Sequence, residues 1–252
     1  MKSFVKDVFF ILARVFPYSM KGRASILMYH SISEEEDFFC VRSDTFRKQM
    51  QRLKRDREVI TMQDLLVRMN KRTMKGTEVV VTFDDGYKDN YTCAFPVLKE
   101  LRIPATIFIT TGLIGKKDKK GKDMLSEDEI REMHESGLID IEPHSVSHPK
   151  LTKLQKVDAE KEVQDSKRYL EELLGKTCEF FAYPSGNYNE ESVSILRKLH
   201  FRAGLTVVEG TMDLSADHFR LCRNSIDRTT SPAQFVGKIS RAIDLYCKMK
   251  SL

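Results

Sequence analysis

Seven short apolar runs, each separated from the next by an amphipathic stretch, constrain the fold more than any other feature of this sequence. The runs are Ala24–His30, Val79–Phe83, Ala105–Thr110, Leu138–Glu142, Glu179–Tyr183, Ala203–Val207 and a segment around Leu221. Runs of this length rich in β-branched and aromatic residues read as buried strands, and helices between them make a mostly parallel sheet. Ser43 is placed to cap a helix through about Arg55. Ser126 with Glu129 reads as a capping box, and Gly137 and Gly175 stand where helices should stop.

Repeated strand–helix units in one chain of 252 residues, 41% hydrophobic, predict an α/β fold. The expected form is a distorted (β/α) barrel of about seven parallel strands, closed or imperfectly closed. The expected organisation is one barrel domain, 21–252, preceded by a helical segment, 1–20. In that segment Phe4, Val5, Val8, Phe9, Leu12, Val15 and Phe16 recur at helical spacing, with Lys2, Lys6 and Arg14 elsewhere on the wheel. Such a helix can lie on a membrane surface, on the barrel or on a second subunit. Arg14 interrupts the apolar stretch, which is shorter than a signal core or the roughly 20 residues of a spanning helix. The expected location is cytoplasmic or membrane-peripheral.

Charge excludes less than it first suggests. Lys+Arg 42 against Asp+Glu 37 gives +5, spread along helical faces, and no nucleic-acid module is recognisable. The densest basic cluster, Lys116–Lys122, holds Gly and Asp without interleaved aromatics and reads as a solvated loop. Cys40, Cys93, Cys178, Cys222 and Cys247 are odd in number and widely spaced. That pattern argues against a disulfide framework and a cysteine zinc site, and fits buried small apolar residues.

Two strand endings carry chemistry. Val79–Phe83 runs into Asp84-Asp85-Gly86, at the end of a barrel strand where catalytic residues collect. Adjacent carboxylates repel each other and are costly in a dry interior unless a positive charge compensates. A metal would supply that charge, with one aspartate as ligand and its neighbour as base; a helix cap and turn is the plainer alternative. The second ending, Ile139–Pro143, leads into His144-Ser145-Val146-Ser147-His148, whose two imidazoles can converge on one ion. Two histidines and an aspartate leave coordination positions open, as catalytic zinc sites do.

TFDDG at Thr82–Gly86, HSVSH at His144–His148 and YPSGNYN at Tyr183–Asn189 resemble the first three motifs of the polysaccharide deacetylases, the NodB-homology or carbohydrate esterase family 4 proteins. The resemblance runs from about Ile26 to Arg228. It implies a divalent metal held by Asp85, His144 and His148, zinc first, with cobalt, nickel or manganese as alternatives. It also implies Asp84 as the general base and an N-acetylated oligo- or polysaccharide substrate, occasionally O-acetylated, that yields acetate and a free amine. Amide hydrolysis needs an activated water, a polarised carbonyl and a proton donor for nitrogen. His30, ending the first strand, is the candidate donor. Its position resembles that of the acid histidine in the circularly permuted poly-N-acetylglucosamine deacetylases.

The third motif departs from the family. Ala182 stands where an arginine usually orients the base, and Ser185 where a tyrosine follows the proline. Arg223 is the candidate substitute, and the main-chain N–H of Ser185 can still face an oxyanion. Asp213, Asp217 or Asp227 are candidates to orient His30. Tyr183, Tyr188 and Phe219 are candidates for sugar stacking, against an ordinary core role. His134, His200 and His218 fall in helical or loop patterns with no chemical signal. Two further function classes remain open beside a glycan deacetylase: a hydrolase of non-sugar C–N amides on the same barrel, and a saccharide-binding relative with weakened catalysis.

Overall fold

The computed structural model describes residues 2–13 and 19–250, and side chains from residue 6 onward within them. The barrel strands are β1 (Arg23–Tyr29), β2 (Glu78–Phe83), β3 (Ala105–Ile109), β4 (Ile139–Pro143), β5 (Phe180–Ala182), β6 (Ala203–Leu205) and β7 (Asn224–Ser225). β2 pairs in parallel with β1, through Ser25 opposite Val79 to Tyr29 opposite Phe83, and β3 continues the sheet with Thr106 opposite Thr82. β4 follows, with Ala105 opposite Ile139. On the other flank β7 pairs with β1 at Leu27 and Met28, while Met212–Asp213 adds a short antiparallel edge. β5 and β6 form a separate parallel pair, linked to the segment before β7 by a bridge between Leu205 and Leu221.

No main-chain ladder joins β4 to β5 among the described residues, so the barrel is imperfectly closed. Side chains span this gap. Glu142 accepts the N–H of Phe180 at 2.9 Å and a proton of Lys176 at 2.8 Å; Lys176 also bonds Asp140. Burial would lower the Lys176 ammonium, but the carboxylates of Glu142 and Asp140 outweigh it and keep the group charged.

Strand alternation decides which residues face the site. Along β2, Val79, Val81 and Phe83 pack in the cluster under the surrounding helices, whereas Val80 joins the other cluster with Ile26, Phe108, Phe180 and Ala182. A period of two therefore carries Val80, Thr82 and Asp84 along one face, and Ile26, Met28 and His30 along the matching face of β1.

The helices bury one stripe each. Helix Ser43–Asp56 buries Phe46, Gln49, Met50 and Leu53, and helix Lys156–Leu174 buries Ala159, Val163, Leu170 and Leu173. Ser126 and Glu129 form a capping box at Glu127–Glu135, and Gly175 ends its helix in the left-handed conformation at φ 65°. Ser43 is corrected: Arg42 is the cap position and Ser43 the first helical residue, its N–H going to Glu34 instead of its hydroxyl serving the next turn.

The N-terminal helix is Lys2–Ala13. Its buried side is Phe10 and Ala13, set against Ala242 and Ile243, and Asp7 accepts hydrogen bonds from Ser231 and Gln234. Gly237 is required there, because a Cβ would come within 2.0 Å of the Phe10 ring. Val8, Ile11 and Leu12 are exposed on another face. The side chains of Lys2, Phe4 and Val5, and residues Arg14, Val15 and Phe16, lie outside what is described. No helix among the described residues is long and apolar enough to cross a membrane.

All five cysteines are free, Cys40 and Cys178 buried and the others half-buried. The basic loop is solvated except at Lys122, which is turned inward onto Cys40 at 3.0 Å and Glu35 at 3.1 Å.

Candidate metal and catalytic centre

The residues singled out at strand ends remain tied to the sheet just past the last strand position. The N–H of Asp84 donates to Tyr29 O at 3.0 Å, that of His144 to Ile109 O at 2.8 Å, and that of Tyr183 to Leu205 O at 3.0 Å. The side chains that follow are thus carried on rigid main chain, on one rim of the barrel. Asp85, Ser145, His148 and Ser185 adopt left-handed φ of 73°, 67°, 59° and 55°. Among the described residues the other non-glycine positions with positive φ, Arg72, Arg102 and His200, follow helix ends. Backbone strain away from helix ends is therefore concentrated at this rim, as expected where geometry serves chemistry.

Asp85, His144 and His148 converge, with one ligand atom from each all within 4.8 Å of one another. Asp85 Oδ1 lies 3.7 Å from His144 Nε2 and 3.5 Å from His148 Nε2. Donors about 2.1 Å from a tetrahedral ion stand roughly 3.4 Å apart, so the three fit a zinc-sized divalent cation. The tautomer fits as well: His144 Nδ1 donates to Ala182 O at 2.7 Å, which leaves Nε2 unprotonated toward the aspartate. Burial lowers the His144 pKa to about 4, so the ring is neutral at ordinary pH, the form a metal would require.

The loop bearing both histidines is held from behind by Glu162, which accepts the N–H groups of Val146 and Ser147 at 2.9 Å each and the Ser147 hydroxyl at 2.7 Å. Gly112 donates to Val146 O at 2.8 Å, and a Cβ there would stand 2.5 Å from that oxygen.

Asp84 is buried beside this triad and Arg223 grips it in bidentate fashion, Nη1 to Oδ1 at 2.6 Å and Nη2 to Oδ2 at 2.7 Å. Burial alone would raise the Asp84 carboxyl, but the Arg223 charge outweighs it, with His144 and the two hydrogen bonds assisting, and the pKa is held at about 2. Arg223 itself is oriented by Nε donating to Thr206 O at 2.8 Å. Fully buried, it meets the carboxylate and does not line the cavity, so its place is beside the base and not against substrate.

A cavity of about 1030 Å³ opens over these groups, and His30, Asp84, Asp85, His144, His148 and Ser185 all line it. His30 lies against the ring of Phe39 at 4.8 Å between centroids. Its Nδ1 is buried without a partner, and the three candidate aspartates are engaged elsewhere: Asp213 with Arg23 and Ser215, Asp217 with Phe219 N and Arg220, Asp227 with the N–H and hydroxyl of Thr229.

Tyr183 is corrected from a substrate contact to a core residue. Its ring is buried and its hydroxyl donates to Phe219 O at 3.0 Å, while Tyr188 stacks on it and Arg197 covers Phe219. The aromatics that do line the cavity are Phe39 and Tyr87, neither anticipated from sequence. Tyr87 follows the Asp-Asp-Gly turn and bonds Asp85; burial first and that carboxylate next push its phenol up, so it stays a donor. Adjacency to that turn was the available signal for Tyr87. Phe39 had none, because a polar loop separates it from β1. His134, His200 and His218 lie outside the cavity lining.

The family profile described as polysaccharide deacetylase matches residues 71–204. YxkH of Bacillus subtilis (strain 168), named with the polysaccharide deacetylases, is 32% identical over 217 residues, covering 85% of this chain and 75% of its own length. A poly-beta-1,6-N-acetyl-D-glucosamine N-deacetylase of Staphylococcus aureus (strain N315) is 27% identical over 208 residues, covering 79% of this chain and 72% of its own. Among solved structures, Streptococcus pyogenes deacetylase PplD in complex with acetate superposes with a TM-score of 0.78 at 27% identity, over 86% of this chain and 98% of that one. The chain belongs to the polysaccharide deacetylase family, hydrolases of carbon–nitrogen bonds other than peptide bonds.

Proposed function

We propose that this protein removes N-acetyl groups from a glycan or glycan precursor, with Asp84 as base, His30 as acid and a divalent ion, zinc first, on Asp85, His144 and His148. The observation that carries the reading is the juxtaposition of an arginine-clamped carboxylate with a converging Asp-His-His set on the floor of one cavity. The Staphylococcus aureus relative, named for N-deacetylation of poly-N-acetylglucosamine, supports the substrate class.

A bound ion would polarise the acetyl carbonyl and make an attacking water more acidic. Asp84, kept ionised by Arg223, accepts the proton of that water as its oxygen bonds the carbonyl carbon. Ser185 lines the cavity, and its main-chain N–H is the donor assigned to the developing oxyanion. His30 then gives a proton to the nitrogen as the C–N bond breaks, leaving acetate and a free amine. Phe39, set beside His30, offers the apolar face that a sugar ring packs on.

The segment 1–20 is read as an accessory helix, and the exposed set Val8, Ile11 and Leu12 supports its contact with a lipid surface. The deciding experiment measures acetate release from N-acetylglucosamine oligomers by protein stripped of metal and reloaded with zinc or cobalt. Release that needs metal, disappears in Asp84→Asn and drops sharply in His30→Ala supports the reading. Tight metal binding without release from any acetylated sugar overturns it.

A further inference from the structure

The ring of His30 lacks the partner that commonly orients a catalytic imidazole. Its Nδ1 is buried without a hydrogen bond among the described residues, and Asp213, Asp217 and Asp227 are engaged elsewhere. Its main chain, in contrast, is gripped by the segment that follows the Asp-Asp-Gly turn. Asn90 Nδ2 donates to His30 O at 2.7 Å and to Asp89 Oδ1 at 3.1 Å. Asp89 in turn accepts the N–H of Ile32 at 3.0 Å and the hydroxyl of Ser31. At the other end of the same loop the N–H of Asp84 holds Tyr29 O at 3.0 Å. The loop that presents Asp84 and Asp85 thus brackets the strand end that presents His30, at the successive carbonyls of Tyr29 and His30.

Asn90 is fully buried and heads a π-helical turn, Asn90–Ala94, closed by the N–H of Phe95 on Asn90 O. Such turns are rare and collect at functional sites. Both protons of the Asn90 amide meet acceptors, which fixes its orientation, while its Oδ1 is buried without a partner. An apolar side chain would carry no such unmatched acceptor, so what this residue supplies is donation.

We infer that Asn90, backed by Asp89, is a positioning residue that sets His30 at its working distance from the base and the metal ligands. This rests on the deacetylase reading with His30 as proton donor. The His30 ring packs on Phe39 at 4.8 Å between centroids, so a shift of the anchored main chain carries the imidazole with it. Misplacing a reacting group by about 1 Å can cost roughly a hundredfold in rate.

The test separates proton donation from the rest of the site by leaving group. An amide nitrogen must be protonated as it departs, whereas the nitrophenolate of p-nitrophenyl acetate leaves without a proton; both reactions need the activated water and the base. Rates of acetate release from N-acetylglucosamine oligomers and of p-nitrophenyl acetate hydrolysis are measured with zinc-loaded wild type, His30→Ala, Asn90→Ala and Asp89→Asn. Asp89→Asn keeps the volume and removes the carboxylate, and so probes the same grip should Asn90→Ala not fold. The expected result is an amide-to-ester ratio of kcat that falls about tenfold or more in His30→Ala and Asn90→Ala, on the scale of lost general acid catalysis, and less in Asp89→Asn. KM for the oligomers should stay close to wild type, and zinc should still raise Tm in each variant. Amide and ester rates that fall in proportion in Asn90→Ala and Asp89→Asn give the pair a structural role and overturn the inference. A ratio unchanged in both variants but lowered in His30→Ala does the same, and in either case the deacetylase reading stands. Ester hydrolysis by wild type without acetate release from any acetylated sugar overturns that reading and the inference with it.

Discussion

Arg223 and Asp84, 139 residues apart in sequence, meet in a buried bidentate pair with N–O distances of 2.6 and 2.7 Å. The family's usual arginine position holds Ala182, yet the carboxylate is still gripped, from a different part of the barrel. Arg223→Ala leaves Asp84 buried and unmatched, which should cost about 3–5 kcal/mol of stability. It should also raise the carboxyl from about 2, moving the acid limb of the pH–rate profile upward. Arg223→Lys keeps the charge without the fork and should fall between. Urea titration and pH–rate profiles of the three proteins check this, and an unmoved acid limb in Arg223→Ala would separate the pair from the base.

Metal binding should stabilise the fold. At a hundredfold excess over Kd a single bound ion adds about 2.7 kcal/mol, read as a rise in Tm that EDTA reverses. His148→Ala should abolish the rise while changing the metal-free Tm little, because its imidazole is partly exposed. An undiminished rise in that variant would place the ion elsewhere.

Phe39→Ala should raise KM for an N-acetylated oligosaccharide about three- to tenfold with kcat little changed, since one aromatic contact contributes ~0.5–1.5 kcal/mol. Steady-state kinetics read the split. A fall in kcat at constant KM would instead show that Phe39 acts by positioning His30.

Acid should weaken the protein through Glu78. This carboxylate is buried and accepts the N–H groups of Lys75, Gly76 and Thr77 and a proton of Arg68. Burial would raise its pKa, but these donors outweigh it and hold it below the ordinary glutamate value. A folded pKa below the unfolded one, about 4.3, means its stabilisation is complete above that pH and is lost as pH falls through the folded value. Chemical denaturation from pH 6 to pH 3 should show a smaller acid loss in Glu78→Gln than in the wild type.

Ile11→Asp with Leu12→Asp should weaken cosedimentation with anionic phospholipid vesicles and leave acetate release from a soluble substrate unaltered. Ile11 is 52% and Leu12 59% exposed, so the charges perturb no core. Vesicle binding equal to wild type would remove the lipid-surface reading of segment 1–20.

Much of the site could be read from local sequence because its groups sit one or two residues beyond strands. An apolar run such as Val79–Phe83 announces its own end, and a barrel gathers such ends on one rim. Asp84, Asp85, His144, His148 and His30 fall at those ends and line one cavity. The same reasoning left Tyr183 between a sugar contact and a core role, because a residue just past a strand can face the cavity or the core. It also passed over Phe39 and Glu162, one in a polar loop and the other midway along a helix, where nothing local marks a role.

The strand–helix alternation, the helix caps at Ser126 and Gly175, and the residue types offered at each strand end are written in the chain itself, because each depends on neighbours within a few positions. Three contacts are not: the bidentate grip of Arg223 on Asp84, which the resemblance offered only as a candidate pairing, Glu142 and Lys176 bridging the open seam between β4 and β5, and Phe10 seating on Gly237. Each exists only once strand register and helix placement bring together residues distant in sequence, and a side chain's partner across such a distance leaves no mark on the residues beside it.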